Sequence, residues 1–513
     1  MQIYTVRLQN ELYTKGVFFF LPLLLVWGIF PAAAQAKTVF PGLEPDPRAF
    51  EYAVKAEKGS LTWQDMAEMS FWASGADING AIRVNGKNST YGEIIRAAIA
   101  ELQNAPDIPN SLRERGEYVL TFLYKKFLKT YSLRQTEIDV IFRSGYYNCV
   151  SSAALYLIFG TAAGLEIEGV LTKDHAFVSV QTEEGAIDVE TTNRYGFDPG
   201  NRKEFQDGFG KATGFAYVPA KNYRDRSPLS SLELISVIFS NRISDLQSRG
   251  RYNEAIQLAL DRSAMLSRRK NPVDSPYFLD PEKDVLDRLM FYGSNLLKSG
   301  KEEDVFKWID LTSDKFPPGE YDGKRKELDY AAVNNLILKH VKAGNYSEAR
   351  NTLSREAFRI DADSAAKLGV IILDTELTGK TQKIRTIADA EAILALIDES
   401  EQDADGLPPE RAVELRNFAL VKKSELISKE QGWPAAIEFL ETSIARYGAN
   451  ALLEKNLQVF RSNYVADFHN AFARAYNRRN YTEAIKIAEE ALKEFPENRQ
   501  LTADLDTARK AAN

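Results

Sequence analysis

Three rhythms of apolar and polar residues follow one another along the chain. The first is an apolar run, Val17 to Phe30 (VFFFLPLLLVWGIF), preceded by Arg7 and Lys15 and followed by the small residues AAAQA. That order predicts a secretory signal, residues 1–36, cleaved after Ala36. The run is shorter than the ~20 apolar residues a spanning helix needs, and Pro22 interrupts it, so an uncleaved membrane anchor is the alternative. Residues 37–48 (KTVFPGLEPDPR) hold three prolines and read as extended. Helical spacing then appears in pieces, over Leu61 to Ala73, Tyr91 to Leu102 behind Ser89-Thr90, and Arg113 to Leu128. Between these, GADINGAIRVNGKN and NAPDIPN read as loops. Residues 37–112 are thus expected to form a helical segment packed on the domain that follows.

The second rhythm begins after Gly145. Val150, Ala153, Ala154, Leu157, Ile158 and Ala162 fall on one side of a helix that opens near Cys149 and stops at Gly164. The period then shortens to that of strands: Glu166 to Thr172, the alternating HAFVSVQ from His175 to Gln181, a TEEG turn, and AIDVE from Ala186 to Glu190. If the last two runs form a hairpin with a two-residue turn, odd positions pair with even ones. Asp188 then opposes an odd residue such as Phe177, which shares a face with His175. Phe215 to Val218 reads as a closing strand and 221–228 as a linker.

The third rhythm fills residues 229–513, which read as helices joined by recurring turns: RGRYNEAIQLAL, SGKEEDVFKWI, AGNYSEARNTL, EQGWPAAIEFL and RRNYTEAIKIAEEAL. Aligned on Tyr252, Glu302, Tyr346, Trp433 and Tyr481, they lie 50, 44, 87 and 48 residues apart. The double interval contains TIADAEAILALI, a worn sixth copy. These hairpins look like tetratricopeptide-type repeats, although that family's period of ~34 residues is not kept. Such units bury a face only by stacking, which predicts an α-solenoid that offers a protein partner a surface or braces the rest of the chain.

Composition narrows the chemistry. A net charge of −7, without a basic stripe or phosphate-binding glycine loop, gives no support to nucleic-acid or nucleotide binding. Cys149 is the only cysteine, and His175 is one of three histidines; His340 and His469 lie far along the helical repeats. No ligand cluster points to a metal, and no cofactor is expected. In an exported chain, periplasmic or secreted, a thiol that cannot form an internal disulfide is either inert and buried or kept for its reactivity. Its place in the first turn of a helix, where unpaired amides and the positive dipole end face it, favours the reactive reading.

Taken together, YNCVSSAALYLIF, DHAFVSV and AIDVE resemble the transglutaminase-like superfamily of thiol enzymes, whose site is laid out like that of papain. The likeness covers about residues 113–220 and implies an α+β, cysteine-proteinase-like domain, followed here by the all-α helical-hairpin solenoid. It implies Cys149 as nucleophile, His175 as base and Asp188 as the acid orienting the imidazole. Glu190 and Asn193 are alternatives, since papain-type sites use an asparagine in that place. The backbone amide of Cys149 is the natural oxyanion donor, and Tyr146, Tyr147 and Asn148 are candidates to assist it or to line the substrate site. The expected activity is hydrolysis or acyl transfer at amide or isopeptide bonds of a protein or peptide, without stable membrane insertion after signal cleavage. The alternative is a scaffold of the same fold that has lost catalysis and binds proteins through its repeats.

Overall fold

The structure, a computed structural model, describes residues 38–513 apart from 85, 201–202, 215–225, 403–405 and 513. The signal-like stretch and the strand expected at Phe215 to Val218 lie outside the described residues. The chain is mostly helical with small sheets, and it divides into two compact units, Met1–Lys324 and Arg325–Asn513. Among the described residues, no helix is long and apolar enough to cross a membrane.

The first unit opens with α1 (Pro47–Glu57), capped by Asp46 with proline at its first position, and α2 (Trp63–Ser74), opened by a reciprocal Thr62–Asp65 capping box. A hairpin of β1 (Ala81–Val84) and β2 (Lys87–Thr90) occupies the glycine-rich stretch read as a loop. α3 (Tyr91–Gln103) and α4 (Leu112–Lys126) follow, at the places their apolar spacing predicts. β3 (Thr130–Tyr131), α5 (Ile138–Ser144) and β4 (Tyr146–Tyr147) lead to α6 (Cys149–Ala162). Then come β5 (Ile167–Leu171), β6 (Ala176–Thr182), β7 (Gly185–Val189), α7 (Lys203–Thr213), β8 (Ser227–Leu229) and α8 (Ser231–Ser248).

α6 is the hub of this unit. Every residue from Val150 to Gly160 is buried, not one face alone, because α2, α3, α4, α5 and α8 pack around the helix and β5 and β6 lie against it. A helix with apolar residues all round has no polar side to turn to water, so it becomes a core element. The sheet has the order β7-β6-β5-β8, with every neighbouring pair antiparallel. Ser227–Leu229, read as the end of a linker and the first residue of the solenoid, is its fourth strand, and Pro228 sits on the sheet's edge opposite Val170.

α9 (Tyr252–Leu266), α10 (Pro281–Lys298) and α11 (Glu302–Thr312) complete the first unit. The 37–112 segment divides between two supports. α2 and α3 pack on α6, whereas α1 packs on α9, and the extended stretch before it lies along α9 and α11. There the Asp46 amide donates to Asp261 at 2.7 Å, Gln257 donates to the Glu44 carbonyl at 3.0 Å, and Phe40 stacks on Trp308.

The second unit contains α13 (Tyr346–Glu356), α14 (Ala362–Gln382), α15 (Ile387–Ser400), α16 (Pro409–Glu430), α17 (Trp433–Tyr447), α18 (Ala451–Asn477), α19 (Tyr481–Glu494) and α20 (Arg499–Ala512); α12 (Glu320–Lys342) carries the boundary between units. Each of the five aligned residues begins the second helix of a hairpin, and the worn copy is α15. Three residues further on, the buried side chain is small or β-branched: Ala255, Val305, Ala349, Ala390, Ala436 and Ala484, none more than 1% exposed. A small residue there lets neighbouring helices approach closely. Gly250, Gly300 and Gly344 have φ of +75°, +68° and +75°, the left-handed conformation that ends a helix before a tight turn. The first helices run to 18, 21, 22 and 27 residues in α10, α14, α16 and α18, which accounts for intervals longer than ~34.

Candidate active site

Cys149 is half-buried at the first position of α6. Asn148 caps the helix: its Oδ1 accepts from the amides of Val150 at 3.0 Å and Ser151 at 2.9 Å, while Ser151 Oγ accepts from the Asn148 amide. Its Nδ2 donates to the Leu133 carbonyl at 3.4 Å. The Asn148 side chain is therefore committed to the cap. The cap takes the second and third helical amides and leaves the first, that of Cys149, facing the sulfur's surroundings.

His175 stands just before β6, where its carbonyl accepts from the Thr172 amide at 2.9 Å and fixes the bend into the strand. Its ring stacks on Phe177 and meets Phe209 of α7 edge-on, with centroids 6.1 and 5.7 Å away. The imidazole lies close enough to the Cys149 thiol for the two groups to interact electrostatically. Its Nε2 contacts Glu190 Oε2 at 2.5 Å, so the nitrogen left for the thiol is Nδ1. Burial pushes the imidazole pKa down, but the Glu190 carboxylate and the bonds to Cys149 and Glu190 outweigh it and hold the pKa well above the ordinary histidine value.

The acid that meets His175 is Glu190, not Asp188. The hairpin does have a two-residue turn, with Thr182 opposite Gly185, and odd residues pair with even ones. Counting inward, Asp188 opposes Ser179 rather than Phe177. Ser179 lies four residues from His175, about 13 Å along a strand. Glu190, one step past the last ladder pair Val178↔Val189, falls opposite Phe177 and diagonally beside His175. Asp188 instead forms a bidentate pair with Arg226, whose guanidinium lies over the Phe177 ring. It supports the ring that supports His175. Asn193, the other alternative, donates to the Phe205 carbonyl and accepts from the Tyr195 amide, shaping the loop without a bond to the imidazole.

Glu190 is 2% exposed, and its second oxygen accepts from the Thr192 hydroxyl at 2.7 Å and amide at 3.2 Å. The loop after it is tied to the cysteine's helix by a Ser152–Thr191 hydroxyl pair at 2.8 Å. Tyr124 donates to the Thr191 carbonyl at 3.0 Å, and Tyr147 reaches the Tyr124 hydroxyl at 3.0 Å and the Thr192 carbonyl at 3.4 Å. Tyr147 is thus a buried brace. Tyr146 is 46% exposed beside the thiol's helix start. Gly196 has no room for a side chain: a Cβ there would sit 1.9 Å from the Glu190 carbonyl oxygen.

One side chain missing from the sequence reading belongs here. Tyr131, on β3, pairs in parallel register with Tyr147, two residues before Cys149, and their rings meet edge-on at 6.0 Å. Two-residue strands have no periodicity by which to find such a pairing. Among the described residues, no group of three or more His, Cys, Asp or Glu could hold a metal ion. No protein-family model, curated protein or solved structure matches the chain.

Proposed function

We propose that this chain is an exported thiol hydrolase or acyltransferase of transglutaminase-like type, acting on amide or isopeptide bonds of a protein or peptide through Cys149, His175 and Glu190. The observation that carries the reading is the pairing of buried Glu190 with part-buried His175 near the only thiol, itself at a helix N-terminus. A buried carboxylate bonded to one imidazole nitrogen, with a thiol at the other, is the arrangement a thiol nucleophile requires.

His175 Nδ1 holds the proton given up by the thiol, and Glu190 stabilises the resulting imidazolium. The sulfur attacks the acyl carbon while the Cys149 amide donates to the developing oxyanion. As the C–N bond breaks, His175 delivers its proton to the leaving amine, and a thioester remains. Water, or a second amine, then attacks the thioester as His175 takes its proton, and the sulfur leaves with the electron pair of the C–S bond. The helical hairpins are assigned to substrate or partner binding.

The test is single-turnover acylation with p-nitrophenyl acetate, followed by release of p-nitrophenolate and by intact mass. The expected outcome is one acetyl group on Cys149 that water removes, with none in a Cys149→Ala variant. A folded wild type whose thiol is not acylated would instead support the catalytically inactive binding scaffold.

A further inference from the structure

We propose that the Tyr131 hydroxyl is the side-chain donor that binds the oxyanion during acyl transfer to Cys149, an assignment that rests on the thiol acyl-transfer reading. Three tyrosines surround the trio. The hydroxyls of Tyr124 and Tyr147 are bonded to each other and to loop carbonyls, whereas that of Tyr131 is buried and has no hydrogen-bond partner among the described residues. A buried unpaired hydroxyl costs stability, and native structures retain few without a reason. Here the ring is held by its pairing with Tyr147, and the hydroxyl lies in the electrostatic field of Cys149 and Glu190. Burial first, and then those neighbours, keep it protonated and therefore a donor.

An acceptor arrives only when substrate does. As Sγ bonds to the acyl carbon, the carbonyl π pair moves onto oxygen, and that oxyanion accepts from the Tyr131 O–H and the Cys149 N–H. On collapse the pair returns to carbon, the C–N bond breaks, and the amine leaves with the proton from His175. No proton leaves Tyr131. The sequence alternatives fit this role less well: Asn148 is spent on the helix cap and Tyr147 on the loop.

The test is Tyr131→Phe in the full chain, read three ways. Alkylation of Cys149 by iodoacetamide displaces iodide and forms no oxyanion, so its rate should stay within about twofold of wild type. Acylation by p-nitrophenyl acetate forms one and should slow by about 10²–10³-fold. The melting temperature should hold or rise, since the lost hydroxyl had no partner. Unchanged acylation overturns the assignment. A parallel fall in both reactions, or a lower melting temperature, makes Tyr131 a structural residue and also overturns it. If wild type itself is not acylated, the acyl-transfer reading fails first and takes this one with it.

Discussion

Replacing Glu190 by Gln separates the two acids that the chain offers to His175. The change preserves shape, and the side-chain oxygen still accepts from the Thr192 amide and hydroxyl. What is lost is the carboxylate oxygen 2.5 Å from His175 Nε2, replaced by an NH₂ group that can only donate. The imidazole must then present a lone pair at Nε2 and carry its proton on Nδ1, facing the thiol whose proton it should take. A charge-assisted bond worth ~1.5–3 kcal/mol gives way to a neutral one of ~1, a net loss of about 0.5–2 kcal/mol. The wrong tautomer should slow acylation by about 10²–10⁴-fold. Asp188→Asn is the matched control. Its partner Arg226 is 31% exposed, so that change should cost about 0–1 kcal/mol and leave acylation within about threefold of wild type. Both variants are read by the p-nitrophenolate burst and by urea denaturation. Equal losses in the two, or an intact burst in Glu190→Gln, would refute the assignment of Glu190.

Other perturbations follow from the same contacts. Gly196→Ala forces a Cβ against the Glu190 carbonyl and should cost about 2–4 kcal/mol in urea denaturation while also slowing acylation, because the loop that aims Glu190 must move. Arg262→Met, far from the thiol, removes a guanidinium 1% exposed that donates to the Ser236 and Leu279 carbonyls and faces buried Asp284 at 3.6 Å. It should cost about 3–5 kcal/mol, with normal acylation in the protein that remains folded. The raised His175 pKa also predicts a pH dependence. Its contribution to stability is full below the ordinary imidazole value of 6.5 and is lost as pH rises through the higher folded value. The stability advantage of wild type over Glu190→Gln should therefore be larger at about pH 6 than at about pH 9 in paired urea titrations.

Local pattern made much of this architecture legible and long-range register did not. Apolar spacing located α3, α4, α6 and the β5–β7 runs to within a few residues, and the five turns each opened a helix. The cysteine at a helix start and the histidine at a strand start were visible because each sits at a change of period. The acid was misplaced by one pleat repeat, since parity survives a shift of two residues but the contact does not. The β1–β2 hairpin was hidden by its composition: AIRV and KNST carry few apolar side chains and flank an asparagine and a glycine. α8 read as the first solenoid helix and does pack on its hairpin partner α9, but it also packs on α2, α6 and β5, contacts that no local window contains. Tyr131 was invisible for the same reason, because a hydroxyl without a partner among the described residues is a property of the assembled core.

The central claim, that His175 activates Cys149, is tested most directly by the rate at which iodoacetamide alkylates the folded protein near neutral pH. With one cysteine in the chain, every adduct reports on that thiol. Wild type should react at least about tenfold faster than His175→Ala, because an imidazole beside the sulfur can take up the proton that the thiol gives up as it attacks. Equal rates in two equally folded proteins would contradict the account.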